Sequence, residues 1–132
     1  MLAVTSYKPA YVAECRKAVS DQLKAFRALP KSDALDAFAP QFFNHMVLAL
    51  DHYFLHRLRA AELKDGNPIN EVRMLCNAIH DNGGVLARDT QIKLDPKTSV
   101  TKLAFGEKIA LDEKTFAKLA TAFFDEIERK YP

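Results

Sequence analysis

Three polar residues in one segment have the types and the spacing that phosphate chemistry needs. Arg73, Asn77 and His80 follow one another at intervals of four and three residues. On a helix, which turns by about 100° per residue, they form one narrow stripe. An imidazole exchanges a proton near neutral pH, and a guanidinium binds phosphate or stabilises developing negative charge. The stripe predicts a site with His80 as acid or base, Arg73 as phosphate ligand and Asn77 as the orienting residue.

The same stripe is also typical of an ordinary solvent-facing side of a helix. In that interpretation His80 is a cation near the helix C-terminus, where the helix dipole favours positive charge. The two interpretations differ in exposure, because a catalytic site needs all three side chains together in an open cleft.

Basic residues before and after the stripe can form a local cationic surface, which is what phosphate binding requires. These residues are Arg57, Arg59, Lys64, Arg73 and Arg88. Among them we assign Arg57, Arg59 and Arg73 as phosphate-binding candidates for RNA or a nucleotide. The alternative is a scattered set of cations that stabilises helix C-termini.

Three histidines belong to the predicted second long helix. His45, His52 and His56 are spaced seven and four residues apart, so a continuous helix brings them to one edge. The spacing of His52 and His56 can hold one metal ion, although no recognised ligand motif accompanies it. The alternatives are a hydrated face and a dimer interface, and we assign neither a metal nor a cofactor to the chain.

Four amphipathic helices must position these residues, because apolar side chains recur every three or four positions in four segments. The segments run from Pro9 to Leu29, from Gln41 to about Leu63, from Pro68 to about Asp81 and from Asp112, which is predicted to cap the last helix, to the end. A short helical piece over 34–39 precedes Pro40, where the second long helix starts.

The third helix has the clearest boundaries. Asn67 suits its N-cap, Pro68 its first position, and two consecutive glycines follow its end. After it, segments 91–94, 99–105 and 108–111 predict a small β-hairpin or extended insertion before the last helix. The predicted fold class is all-α, a helical bundle of about four main helices with this insertion.

The composition indicates a single domain over residues 1–132. With 48% hydrophobic and 27% charged residues, the chain can build its own core without a disulfide or metal. A net charge of +2 favours no class of partner. Cys15 and Cys76 lie in apolar helical patterns, which predicts reduced thiols and a cytoplasmic location. No apolar run approaches the roughly 18 residues of a membrane span.

The third helix and the chain after it resemble the HEPN domains, small helical bundles of prokaryotic toxin, antiviral and accessory proteins and of several RNA-cleaving enzymes. The family signature is an arginine and a histidine separated by four to six residues near a helix end, and Arg73 with His80 is similar to its longest form. The turn 81–85 and the segment 105–111 are similar too, so the resemblance covers roughly 67–128. Met74 departs from the polar residue that many active members have after the arginine.

The resemblance implies a homodimer whose two Arg/His pairs face each other across a cleft. It also implies metal-independent cleavage of RNA through attack of the 2′-hydroxyl. The alternative is a non-catalytic module that keeps the bundle for dimerisation or for binding a protein partner.

Overall fold

Helices form the regular structure of the computed structural model, which describes residues 3–132. They are α1 (Pro9–Arg27), α2 (Asp33–His52), α3 (Pro68–Asp81) and α4 (Glu113–Lys130), with a 3-10 helix (Arg59–Glu62) between α2 and α3. The all-α helical bundle is thereby confirmed. Among the helices of residues 3–132, none has the length and apolar character needed to cross a membrane.

The predicted caps of α3 and α4 are confirmed. The side-chain oxygen of Asn67 accepts hydrogen bonds from the backbone N–H groups of residues 69 and 70, and Pro68 occupies the first position of α3. Asp112 accepts the N–H of Thr115 in the same way at the start of α4. These caps satisfy N–H groups that have no partner within the helix, so local sequence determines where both helices begin.

The second helix differs from its prediction at both ends. It begins at Asp33 and continues through Pro40, which was expected to separate two helices. Asp36, whose carbonyl loses its helical partner at Pro40, is exposed, so water can satisfy that carbonyl. The predicted continuation to about Leu63 is wrong, because the chain turns after His52 and its backbone at residues 56–58 pairs with Val4.

The core lies around α4, which packs against each of the other three helices, while α3 also packs against α2. Ion pairs at the surface reinforce the contact of α1 with α4: Arg16 binds Asp125 at 2.8 Å, and Arg27 binds Glu113 at 2.5 Å. The largest side chains of the core are fully buried; they include Phe43, Leu50, Ile69, Leu75, Phe116 and Phe123.

No sheet forms between α3 and α4, and the predicted β-hairpin is wrong. The only regular pairing in segment 85–111 is one antiparallel bridge between Val85 and Lys108. Backbone N–H groups that would pair with a neighbouring strand donate to side chains here. Asp89 accepts hydrogen bonds from the N–H groups of residues 91 and 92, and buried Glu71 accepts them from residues 100 and 101. Side-chain hydrogen bonds of this kind compete with secondary structure.

Two glycines share a left-handed backbone conformation but differ in their surroundings. Gly66, just before α3, has a φ of +88°, and a Cβ added there would lie 2.5 Å from the carbonyl oxygen of Lys93. Gly106 has a φ of +90°, and a Cβ added there would meet no atom within 4 Å. Gly66 is therefore required both by its φ and by a close approach of two backbone segments.

Replacing these glycines separates the two requirements. Gly106→Ala should lower the free energy of unfolding by about 1–2 kcal/mol, because only the φ is strained. Gly66→Ala should cost more than about 3 kcal/mol, because the 62–67 loop must also move away from Lys93. Urea unfolding followed by circular dichroism measures both, and equal losses would contradict the close approach.

Candidate phosphate site

A buried carboxylate joins the 3-10 helix to the neighbouring helices. Glu62 is 2% exposed, and its two oxygens accept hydrogen bonds from three arginines. Nε of Arg57 donates to Oε1 at 2.8 Å, and Nε of Arg73 donates to Oε2 at 2.7 Å. Nη1 of Arg59 lies 3.5 Å from Oε1. The three candidate phosphate ligands therefore meet at one carboxylate, contributed by a residue that the sequence did not single out.

Arg57 lies on the inner side of this cluster. Its side chain is fully buried, and it donates to Asp51 at 2.9 Å and to the carbonyl of Phe54 at 3.1 Å in addition to Glu62. Because its donors are used within the protein, Arg57 holds carboxylates in place and does not face solvent. Of the predicted phosphate ligands, Arg59 has an exposed side chain (40%) and Arg73 a partly exposed one (29%).

Arg59 and Arg73 line one surface cavity of about 310 Å³, which we call the arginine cavity. Two acidic side chains, Glu62 and Asp89, also line this cavity. Glu62 is already ion-paired with the buried Arg57. An oxygen of Asp89 accepts two backbone N–H groups. The cations and side-chain amides of the cavity are Arg59, Lys64, Arg73, Asn77 and Gln91.

His80 does not line the arginine cavity. It lies with His45 and His52 in a second cavity of about 390 Å³ between α2 and α3, which we call the histidine cavity. Arg73 and His80 are seven residues apart, which is about 10 Å along a helix. Of the predicted stripe, the structure brings Arg73 and Asn77 into one cavity and separates His80 from them.

The predicted histidine group is correct for two members and wrong for the third. His45 and His52 line the histidine cavity, whereas His56 follows the end of α2 and is not on that helix. The third histidine is His80, which comes from α3. Within residues 3–132, no group of three or more His, Cys, Asp or Glu side chains is arranged to hold a metal ion.

The remaining basic candidate, Arg88, lies outside the arginine cavity. Its guanidinium carbon is 4.5 Å from the ring centroid of Phe105, and it lines a separate cavity, to which Asn77 also contributes. Lys64 does line the arginine cavity, where its ammonium donates to Gln91.

Glu62 and Gln91 are the site residues that sequence reasoning missed. An acidic residue that closely follows two arginines is a signal for Glu62, since a buried ion pair needs such a partner. Gln91 offered no signal, because it reaches the cavity through the irregular segment after α3.

The arginines also control the protonation of Glu62. Burial on its own raises the pKa of this carboxyl, but the hydrogen bonds and charges of Arg73 and Arg57 outweigh burial and hold the pKa below its ordinary value. Glu62 therefore stays ionised in the neutral range and keeps Arg73 at the edge of the arginine cavity.

No family model, curated protein or solved structure matches the chain at a significant level. Its function is therefore inferred from the side chains that the fold brings together.

Glu62→Gln should destabilise the protein in a pH-dependent way. A glutamate in the unfolded chain has a pKa of about 4.3, above that of folded Glu62, so the carboxylate stabilises the fold above about pH 5 and less as the pH falls. We expect a loss of about 3 kcal/mol at pH 7 that shrinks toward pH 3. Urea unfolding at both pH values measures it. Glu107→Gln, at an exposed glutamate, should show a small difference at both pH values, and a constant loss in Glu62→Gln would contradict the ion pair.

Proposed function

We propose that the chain binds RNA or a nucleotide through a phosphate group in the arginine cavity. The observation that carries the proposal is that Arg59, Lys64 and Arg73 line one cavity while the buried Glu62 already has Arg57 as a partner. The cavity therefore has cationic groups available beyond those that its own carboxylates neutralise. Local charge of this kind is sufficient for phosphate binding even in a chain of small net charge.

The contacts of Arg73 support its role as the main phosphate ligand. Its Nε is bound to Glu62, which holds the plane of the guanidinium. Within residues 3–132, its two terminal nitrogens have no protein acceptor, so they can donate in parallel to two phosphate oxygens. Asn77, one turn along α3, is exposed and lines the same cavity, where its amide can orient the ligand.

We further propose that bound RNA is cleaved without a metal ion, as the resemblance to HEPN domains implies. Arg73 would anchor the strand by one phosphate, and His80 would exchange a proton at a phosphate further along it, where the 2′-hydroxyl oxygen bonds to phosphorus and the 5′-oxygen of the next nucleotide leaves. Asn77 is exposed and lies between Arg73 and His80 along α3, so a single RNA strand lying along this helix can contact both Arg73 and His80. Since His80 opens into the neighbouring cavity, cleavage requires RNA that extends beyond the arginine cavity.

Cys15 and Cys76, both buried free thiols, support the proposed reducing, cytoplasmic setting.

Exposed apolar side chains favour a second candidate, a non-catalytic module for dimerisation or for binding a protein partner. Leu29 and Phe38, at the junction of α1 and α2, are each 46% exposed. Large apolar groups on a surface are typical of interfaces. This surface does not include the arginine cavity, so the two candidates can be tested separately.

Arg59→Gln should weaken binding of single-stranded RNA about tenfold at low salt, because one direct charged contact is lost. The salt dependence of the binding constant should also become shallower. Fluorescence anisotropy with a labelled oligonucleotide measures both quantities. The matched control is Arg129→Gln, which removes another exposed arginine that pairs with a carboxylate on its own chain.

Equal weakening in both variants would indicate non-specific attraction and contradict the proposed site. Absence of RNA binding, together with a dimer that Phe38→Asp dissociates in light scattering, would favour the second candidate.

His80→Gln tests cleavage separately from binding. If His80 exchanges the proton, cleavage of RNA in the presence of EDTA should fall at least about a hundredfold, which is the usual contribution of a general acid or base. RNA binding measured near pH 8 should remain, because the arginine cavity is intact. His56→Gln is the control, and cleavage that survives in His80→Gln would exclude the proposed role of His80.

A further inference from the structure

The histidine cavity brings three imidazoles from two helices together. His45 and His52 come from α2 and His80 from α3, and all three are exposed. Nδ1 of His45 lies 2.8 Å from the carbonyl oxygen of Gln41. Because a carbonyl only accepts, Nδ1 donates in this contact, which leaves Nε2 of His45 as the ring nitrogen with a free lone pair.

The histidine cavity adjoins the arginine cavity. Asp51 lines the former and Arg59 the latter, and Nη1 of Arg59 is 3.6 Å from Oδ1 of Asp51. Helix α3 also contributes to both, through His80 and Arg73. Their separation of about 10 Å along the helix corresponds to about three nucleotides of a stacked strand, at roughly 3.4 Å each.

The other titratable groups that line the histidine cavity are Asp51 and Cys76. Asp51 is ion-paired with Arg57 and Arg59. Burial raises the pKa of the Cys76 thiol to about 12, so this thiol is neutral. Imidazole is the side chain whose charge ordinarily changes between about pH 5 and pH 8.

We propose that the histidine cavity is a second phosphate subsite, which takes a further phosphate of the same single-stranded oligonucleotide when its imidazoles are protonated. This inference rests on the proposed function, because the arginine cavity anchors the strand. The preferred ligand is then an oligonucleotide with several phosphates, and not a single nucleotide. Leu48 and partly exposed Leu55 add an apolar wall against which a base can pack.

The test compares two ligands at about pH 8 and about pH 6. UpU has one phosphodiester, and a hexauridylate without terminal phosphates has several; neither ligand changes its charge in this range. We expect the hexauridylate to bind about tenfold more tightly at the lower pH, and UpU to show little change. The combined variant His45→Gln, His52→Gln and His80→Gln should lose this gain, whereas His56→Gln should keep it. Calorimetry measures binding, and thermal unfolding checks that each variant folds.

The outcomes separate this inference from the proposed function. Arg59-dependent binding of both ligands without a pH-dependent gain for the hexauridylate would overturn the second subsite and leave the arginine cavity supported. A gain that persists in the combined histidine variant, or that His56→Gln also loses, would likewise overturn it. Hexauridylate binding that does not depend on Arg59 would overturn both proposals.

Discussion

The ion pairs of Glu62 with Arg57 and Arg73 determine how the chain after α2 meets α3. Removing a carboxylate from water costs on the order of several kcal/mol, and Glu62 can be buried because the guanidinium groups of Arg57 and Arg73 donate to it at short distances and that of Arg59 at 3.5 Å. The same contacts divide the arginines by role. Arg57 becomes a structural residue inside the fold, whereas Arg73 keeps its terminal nitrogens at the edge of a cavity.

Sequence reasoning was most successful where local interactions determine the structure. The N-caps at Asn67 and Asp112 and the apolar periodicity of α1, α3 and α4 were correctly predicted from neighbouring residues alone. It failed where distant contacts outweigh local preference. The turn after His52 lets the backbone of residues 56–58 pair with Val4. In the segment after α3, backbone N–H groups donate to the side chains of Asp89 and Glu71 and not to a neighbouring strand.

The candidate site was predictable only in the part that belongs to one helix. Arg73 and Asn77 share a cavity because they are one turn apart, and helical geometry is sufficient to infer that. The rest depends on how separate segments meet. Neither the burial of Arg57 nor the position of His80 beside α2 could be predicted from spacing. Arg57 is held in the turn after α2 by Asp51 and Glu62, and His80 reaches its cavity through the packing of α2 against α3.

The packing of α4 against all three other helices has a consequence for the order of folding during synthesis. Ribosomes make proteins from the N-terminus, so α1, α2 and α3 emerge before the helix that covers their apolar faces. Until α4 arrives, Phe43 lacks the ring of Phe116, and Phe54 lacks the rings of Phe123 and Phe124, that pack against them in the finished protein. The bundle therefore closes only after synthesis of its last helix, and an incomplete nascent chain exposes apolar surface to chaperones and to aggregation.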